Sequence, residues 1–218
     1  LGEANTIKAL GELVGQLDQH KRAIELLEEA AAVYRSLGLH LAEAGCYNSM
    51  AAVMGSLKRH EEALRYHDQS IVIYPYAMYY RNRADTLIEL ERYDEAVQIL
   101  DIAESMQPGQ PYVFYHRGRI ALWTNRPAEA VPLLERAVEM RPLLNGFRYQ
   151  LAYARLATGA VERALAEFER ALELTHARKD LVDTEEELAR LSRAYGDLPG
   201  LDRLAERLRW ALEEAAHH

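Results

Sequence analysis

The stretch GRIALWTNRPAEAVPLLERA, residues 118–137, carries the spacing that decides the fold. It begins with Gly118, and Ala130 follows twelve positions later. The stretch AYARLATGAVERALAEFERA, residues 152–171, lies 34 positions further along the chain and has an alanine at both equivalent places. A recurrence of this length is typical of repeat proteins, in which each repeat buries its apolar face only against its neighbours.

The same pair of small residues recurs along most of the chain. An alanine series and, twelve positions before it, a small-residue series both advance in steps of 40, 33, 34 and 34 residues. The alanine series is Ala23, Ala63, Ala96, Ala130 and Ala164, and the small-residue series is Gly11, Ala51, Ala84, Gly118 and Ala152. Two helices approach closely only where no bulky side chain separates their backbones. Each repeat is therefore predicted to be a pair of closely packed helices.

Apolar residues and prolines fall into the same register. A large apolar residue of each second helix lies three positions before a further alanine, on one helical face, at Leu27, Leu100, Leu134 and Phe168. A proline follows three members of the alanine series by twelve positions, at Pro75, Pro108 and Pro142, where it is expected to end the second helix. Five repeats are predicted to begin near Ala4, Ala44, Ala77, Pro111 and Asn145.

This arrangement resembles the tetratricopeptide repeat, a helix–turn–helix unit. The resemblance covers residues 4–174 and implies an all-α fold, a right-handed α-α superhelical solenoid whose first helices line an inner groove. Residues 1–3 would end a preceding repeat, and residues 175–216 would form a degenerate sixth repeat or a pair of capping helices. The lengthened first repeat is similar to those of bacterial signalling proteins. The opening LGEA, residues 1–4, recurs as LAEA at residues 41–44, so the chain is expected to begin at a repeat boundary and to be a piece of a longer protein. The terminal His217 and His218 are interpreted as a possible tag remnant.

Composition excludes several classes of partner. A net charge of −8 argues against a general binder of nucleic acid or of anionic membranes, because phosphate binding depends on excess Lys and Arg. The single cysteine, Cys46, excludes an intrachain disulfide framework and suits a reducing compartment, so a cytoplasmic location is predicted. The sequence contains no apolar run of membrane-spanning length and no signal-peptide pattern.

No motif in the sequence indicates catalysis. Phosphate-binding loops, dinucleotide glycine patterns, nucleophile elbows and HExxH zinc motifs are all absent from it. Cys46 is predicted to be a small buried thiol rather than a nucleophile. His60 and His67 lie two turns apart on one predicted helix, but no third ligand completes a zinc set. The sequence therefore predicts a protein that is not an enzyme and holds no metal or cofactor.

The resemblance places candidate binding residues on the inner faces of the first helices. These positions are small and polar in the first two repeats, with Asn5, Lys8, Glu12, Asn48 and Ala52 among them. In the last three repeats they carry aromatic and charged residues, and the candidate groove is Arg81, Asp85, Tyr112, Tyr115, Arg119, Trp123, Tyr149 and Tyr153. Tyr, Trp and Arg are enriched at binding hot spots because they combine a large contact area with a polar group. The alternative is that the tyrosines pack between neighbouring first helices and that the arginines pair with nearby carboxylates.

One binding mode of the family does not fit. Tetratricopeptide modules that hold chaperone C-termini use a Lys and an Asn in one repeat, an Asn in the next and two basic residues in a third. Lys8 fits the first place, but Glu12, Ser49, Met78 and Asn82 stand where Asn, Asn, Lys and Arg are expected. A carboxylate clamp of this type is not predicted.

Two hypotheses for function follow from the resemblance. The first is a non-catalytic scaffold that binds a peptide or protein partner in its groove. The second is a regulatory or sensor arm of a larger signalling protein, such as a signal-transduction ATPase or a transcriptional regulator, that contacts its own effector domain. Self-association through the exposed ends of the solenoid is a further possible interaction.

Overall fold

The computed structural model describes residues 1–17 and 19–216, which form twelve helices and no strands. His217 and His218, interpreted as a tag remnant, lie outside the described residues. The helices are α1 Gly2–Gln16, α2 His20–Ser36, α3 His40–Ser56, α4 His60–Ile73, α5 Ala77–Glu89, α6 Tyr93–Met106, α7 Pro111–Trp123, α8 Pro127–Met140, α9 Asn145–Ala157, α10 Val161–Glu173, α11 Arg178–Tyr195 and α12 Leu201–Glu214. The predicted all-α repeat fold is confirmed.

The helices belong to two compact units. The N-terminal unit, Leu1–Pro108, contains α1 to α6, and the C-terminal unit, Gly109–His218, contains α7 to α12. Within each unit the helices pack as successive antiparallel pairs, α1 with α2, α3 with α4 and α5 with α6, then α7 with α8 and α9 with α10. The first helices α1, α3, α5, α7 and α9 contain the predicted repeat starts, although α1 and α3 begin a few residues earlier, at Gly2 and His40.

Both series of small residues lie between packed helices. All five members of the alanine series have no exposed surface, and the small-residue series is buried as well. At Gly11 an added β-carbon would stand 3.0 Å from Cγ of Leu27, and at Gly118 it would stand 2.6 Å from Cγ of Leu134. The two contacts are equivalent in the two units. The predicted role of the small residues, close approach of two helices, is therefore confirmed.

The turn inside each helix pair uses a left-handed residue at one repeat position. Lys58, Glu91, Asn125 and Gly159, each five positions before a member of the alanine series, have φ values of 58°, 59°, 58° and 80°. The next residue donates its backbone N–H to a carbonyl of the preceding helix, as from Arg92 to Leu87 at 2.9 Å. This geometry reverses the chain and satisfies a carbonyl that the end of the first helix leaves without a helical partner.

The prolines end the second helices as predicted. Helices α4, α6 and α8 stop at Ile73, Met106 and Met140, each two residues before a proline. Because a proline disfavours helical geometry in the residue before it and has no N–H of its own, it prevents continuation of the helix.

Candidate functional site

An open cavity of about 400 Å³, named the inner cavity, lies in the N-terminal unit. Its wall comes from the first helices α1, α3 and α5, with Tyr34 of α2 at the base. The other residues of this inner cavity are Asn5, Lys8 and Glu12 from α1, Leu41, Ala42, Gly45, Asn48 and Ser49 from α3, and Met78 and Tyr79 from α5. The sequence placed Asn5, Lys8, Glu12 and Asn48 on the predicted inner faces and named Ser49 and Met78 as clamp positions, but it gave no indication of Gly45 or Tyr79.

A charged pair forms one wall of the inner cavity. Nζ of Lys8 lies 2.6 Å from Oε1 of Glu12, one helical turn further along α1, and the Ser49 hydroxyl donates to the same oxygen at 2.6 Å. Burial acts to raise the pKa of Glu12, but the hydrogen bonds from Lys8 and Ser49 outweigh it and lower this pKa. Glu12 is therefore held as a carboxylate that ties α1 to α3.

Amide and phenol groups form the remainder of the cavity wall. The Tyr34 hydroxyl donates to Oδ1 of Asn5 at 2.7 Å, and Nδ2 of Asn82 donates to Oδ1 of Asn48 at 2.9 Å. A β-carbon on Gly45 would lie 3.6 Å from both Cε of Lys8 and the Tyr79 hydroxyl, so its absence widens the cavity between them. Amide groups can donate and accept hydrogen bonds at once, which matches the needs of a peptide backbone.

Cys46 lies next to this surface but is not a reactive group. Its side chain is completely buried, and burial raises the pKa of its thiol to about 12. The thiolate that a nucleophile requires is thus strongly disfavoured. The prediction of a small buried thiol is confirmed.

Two of the predicted groove residues, Arg81 and Asp85, lie on α5 of the N-terminal unit. They follow Met78 by three and seven positions, which places all three on one face of the helix, and both are half-buried. Asp85 also acts on His67 of α4, whose pKa burial lowers to about 4 against the opposing charge of Asp85. Of this face of α5, Met78 lines the inner cavity, and Asp85 lies near enough to α4 to affect His67.

The other predicted groove residues belong to the C-terminal unit, where α7 brings three of them together. The ring of Tyr115 stacks on Phe147 of α9 with centroids 4.4 Å apart, and Tyr112 meets the same ring edge-on at 5.2 Å. Cζ of Arg119 lies 5.5 Å from the centroid of the Tyr115 ring. Tyr112 is exposed and Tyr115 is half-buried, whereas Arg119 is only 3% exposed. Arg119 is too deeply buried to meet a carboxylate on a partner.

Tyr149 and Tyr153 of α9 pack inside the core, as the alternative interpretation of the tyrosines expects. Their exposed fractions are 4% and 0%, and both rings contact Phe168 of α10 at centroid distances of 5.2 and 6.3 Å. The Tyr149 hydroxyl lies 2.8 Å from Oγ1 of Thr175. Burial raises the pKa of both phenols, that of Tyr153 well above its ordinary value. The expectation that these two residues line an open groove does not match their place inside the core.

Helix α11 covers this part of the C-terminal unit. It packs against α9, and Cζ of Arg190 lies 4.4 Å from the ring centroid of Trp123, the last of the predicted groove residues, at the end of α7. Trp123 is half-buried beneath this contact. A helix pair was predicted in residues 175–216, but the alanine series ends before α11, and the sequence did not indicate that this helix contacts α7 and α9.

Two further properties of the described residues bear on function. No group of three or more His, Cys, Asp or Glu side chains in the described part of the chain is arranged to hold a metal ion. Within the same residues, none of the helices combines the length and the apolarity that crossing a bilayer requires.

Comparison with family profiles decides the family. Residues 2–75 match one profile described as tetratricopeptide repeat, and residues 115–178 match a second with the same description. Together the two matches span well over half of the chain. The chain is a tetratricopeptide repeat protein. Such proteins are, as a class, scaffolds for protein–protein interaction, and they are generally non-catalytic.

Curated relatives are much longer than this tetratricopeptide repeat protein. Sperm-associated antigen 1 of Mus musculus is 30% identical over 83 residues, which are 38% of this chain and 9% of the mouse protein. The Rattus norvegicus protein of the same name is 30% identical over 128 residues, which are 59% of this chain and 14% of the rat protein. The chain thus spans a small part of the length of the curated relatives it matches.

Solved structures of low sequence identity share the fold. The thermophilic tetratricopeptide repeat protein TTC0263 of Thermus thermophilus superposes with a TM-score of 0.67 at 22% identity, covering 88% of this chain and 98% of its own. The type IV pilus biogenesis factor PilW gives a TM-score of 0.67 at 16% identity and covers 99% of both chains. MamA from Desulfovibrio magneticus RS-1 gives 0.57 at 15% identity, covering 78% of this chain and 94% of its own. At these identities the likeness shows the fold alone.

Proposed function

We propose that this protein is a non-catalytic scaffold that binds an extended peptide segment of a protein partner on the inner face of α1, α3 and α5. The observation that carries the proposal is the open inner cavity of about 400 Å³, whose wall combines amide, hydroxyl and ion-paired side chains. Because the charges of Lys8 and Glu12 are already paired, the cavity suits a main chain with small uncharged side chains better than a strongly charged segment.

The predicted groove residues extend this proposal within each unit. In the N-terminal unit, Arg81 and Asp85 continue the face of α5 that begins with Met78 in the cavity wall. In the C-terminal unit, the rings of Tyr112 and Tyr115 both pack against Phe147 and form an aromatic group on α7. Rigid aromatic groups of this kind anchor a partner at a small cost in side-chain entropy.

The proposal is tested with a substitution that places a larger side chain in the inner cavity. Gly45→Leu places a side chain between Lys8 and Tyr79, whereas Gly55→Leu introduces the same side chain on the same helix, where an added β-carbon meets nothing within 4 Å. Peptides are first selected on the unaltered protein from a displayed library of short random sequences. We expect Gly45→Leu to weaken the selected peptides by on the order of tenfold, about 1.4 kcal/mol, and Gly55→Leu to leave their affinity unchanged.

Two outcomes contradict the proposal. One is equal affinity of the selected peptides for the unaltered protein and for Gly45→Leu. The other is a selection that enriches no peptide at all. Thermal melts of both variants establish that each retains its fold before affinities are compared.

A second candidate function is the regulatory arm of a larger signalling protein. It is favoured by the contact of α11 with α7 and α9, since a segment of the same chain already occupies an inner face there. Its test is a binding titration between this chain and the other domains that its gene encodes, with Gly45→Leu and Gly55→Leu as the variant pair. A gene that encodes no further domain contradicts this alternative.

A further inference from the structure

Helix α11 does not continue the packing pattern of the other first helices. Helices α3, α5 and α9 each pack against the second helix of the preceding pair, which is α2, α4 and α8 respectively. At the end of the chain α10 instead packs with α12, while α11 packs with α12 and, to a smaller extent, against α9. Through Arg190, α11 also covers Trp123, one of the predicted groove residues.

Helix α11 makes polar contacts with α9 and with α7. Nε2 of Gln150 donates to both carboxylate oxygens of Glu187, at 2.9 and 2.8 Å. Arg190, one turn later, lies over the ring of Trp123. At the end of α11 the Tyr195 hydroxyl donates to the backbone carbonyl of Leu122, the residue before Trp123. The last part of α11 thus reaches α7, although α7 precedes it by two helix pairs.

The buried face of α11 is narrow. Leu181, Thr184, Leu188 and Leu191, at spacings of three or four residues, are each less than 9% exposed. The opposite face, which includes Asp183, Glu185, Glu186 and Ala189, is exposed. This pattern is that of an amphipathic helix seated in a groove, the arrangement in which helical peptide ligands are bound.

The surface beneath α11 keeps polar atoms that α11 does not satisfy. Among the described residues, the hydroxyl of Tyr153, the indole N–H of Trp123 and Oε1 of Gln150 are buried without a hydrogen-bond partner. A buried polar group without a partner costs about 1–3 kcal/mol. Helix α11 leaves these three atoms without hydrogen bonds, and a helix of different sequence on the same surface can supply partners for them.

We propose that the inner face of α7 and α9 is a docking surface for an amphipathic helix, and that α11 occupies it in cis as a displaceable ligand. The partner in trans is a helix with the pattern of α11, leucines on one face and an arginine followed five positions later by a tyrosine. This inference rests on the proposed scaffold function and names the kind of partner for the C-terminal unit. The surface is closed while α11 is docked and open when α11 is displaced.

The test uses the α11 sequence itself as the probe. A labelled peptide RKDLVDTEEELARLSRAY, residues 178–195, is titrated with the whole chain and with two variants. Leu191→Asp puts a charge on the buried face of α11 and should undock it, whereas Ala194→Asp puts the same charge on its exposed face. The tethered helix competes at a high effective concentration, so we expect at least tenfold tighter peptide binding to Leu191→Asp than to the unaltered chain or to Ala194→Asp.

A second substitution locates the bound peptide. Adding Trp123→Ala to Leu191→Asp removes the aromatic ring that Arg190 covers, and it should abolish most of the gained affinity. Equal peptide binding to all variants, or gained binding that Trp123→Ala leaves intact, overturns the proposal. If Leu191→Asp unfolds the whole C-terminal unit, so that far more helix is lost than α11 itself, the proposal is also overturned. Helix α11 would then be an integral part of the core.

These outcomes are separate from those of the cavity test. The probe comes from the chain itself and binds the C-terminal unit, whereas Gly45→Leu and Gly55→Leu alter the N-terminal unit. A failed selection with the random library therefore contradicts the inner cavity as a binding site, and a failed titration with the α11 peptide contradicts the docking surface.

Discussion

Gly118 lies so close to Leu134 that a β-carbon at position 118 would stand 2.6 Å from Cγ and 2.8 Å from Cδ2 of the leucine. Leu134 is completely buried, so its side chain has little room to move away. The helix pair α7–α8 therefore depends on the absence of a side chain at this position.

Gly118→Ala is expected to destabilise the protein despite the better helix propensity of alanine. Overpacking a dense core costs about 1–3 kcal/mol, whereas the exchange of glycine for alanine inside a helix contributes up to about 1 kcal/mol in the opposite direction. Gly45→Ala, inside α3 with its nearest neighbours at 3.6 Å, is the control and should stabilise. Urea unfolding of both variants measures the difference, and a stabilised Gly118→Ala would show that the two helices are further apart.

The left-handed turn position gives a prediction about conformational strain. Gly159 has φ of 80°, and a β-carbon added there would meet no atom within 4 Å, so substitutions act on the backbone alone. Gly159→Ala should lower the free energy of unfolding by about 1 kcal/mol, since a left-handed residue with a β-carbon costs roughly this much. Gly159→Asn should cost less, because asparagine tolerates this region and already occupies it at Asn125. Equal melting temperatures for the two variants would contradict the turn geometry.

The elements that local chemistry dictates were predictable from the sequence. The register of Gly118 and Ala130, and the proline two residues after the end of α8, follow from steric rules that act within one repeat. The buried state of Cys46 was also predictable, because a free cysteine without a catalytic signature behaves as a small apolar side chain.

The elements that depend on distant contacts were not predictable. The hydrogen bond from Tyr195 to Leu122 joins residues 73 positions apart, and no periodic feature of the sequence predicts it. Whether Tyr153 is exposed depends on what covers α9, so its place on an inner face did not determine its burial. In the N-terminal unit, the spacing of Lys8 and Glu12 permits their ion pair, but the added bond from Ser49 comes from another helix.

His67 makes the stability of the N-terminal unit depend on pH. Burial lowers its pKa to about 4, with Asp85 and Asp68 acting to raise it and Arg83 to lower it, whereas an unfolded histidine titrates near 6.5. Between these values the unfolded chain binds the proton more readily than the folded one, so this contribution to stability is present above about pH 6.5 and falls as the pH is lowered towards 4. The loss is on the order of 3 kcal/mol.

The substitution His67→Gln isolates this effect from that of the carboxylates. Glutamine does not titrate, so the variant should lose less stability than the unaltered protein between pH 7 and pH 4, as measured by urea unfolding at each pH. Parallel curves for the two proteins would place the imidazole in contact with water instead of in the core.

The loop between α11 and α12 is held by a contact that only glycine permits. At Gly200, with φ of 88°, a β-carbon would stand 2.5 Å from Cγ1 of Val161, whereas at Gly159, with φ of 80°, it would meet nothing within 4 Å. Alanine at either position has the backbone cost of a left-handed residue, and at position 200 it adds overpacking of about 1–3 kcal/mol. Gly200→Ala should therefore destabilise the C-terminal unit more than Gly159→Ala.

A second substitution tests whether contact with Val161 causes the overpacking cost of Gly200→Ala. Val161→Ala removes Cγ1 and leaves its β-carbon 3.7 Å from the added atom, so in the double variant the penalty of Gly200→Ala should shrink to that of Gly159→Ala. The non-additive part of a double-mutant cycle, measured by urea unfolding, gives the energy of the contact. Additive losses would mean that the loop moves away from Val161 when position 200 carries a side chain.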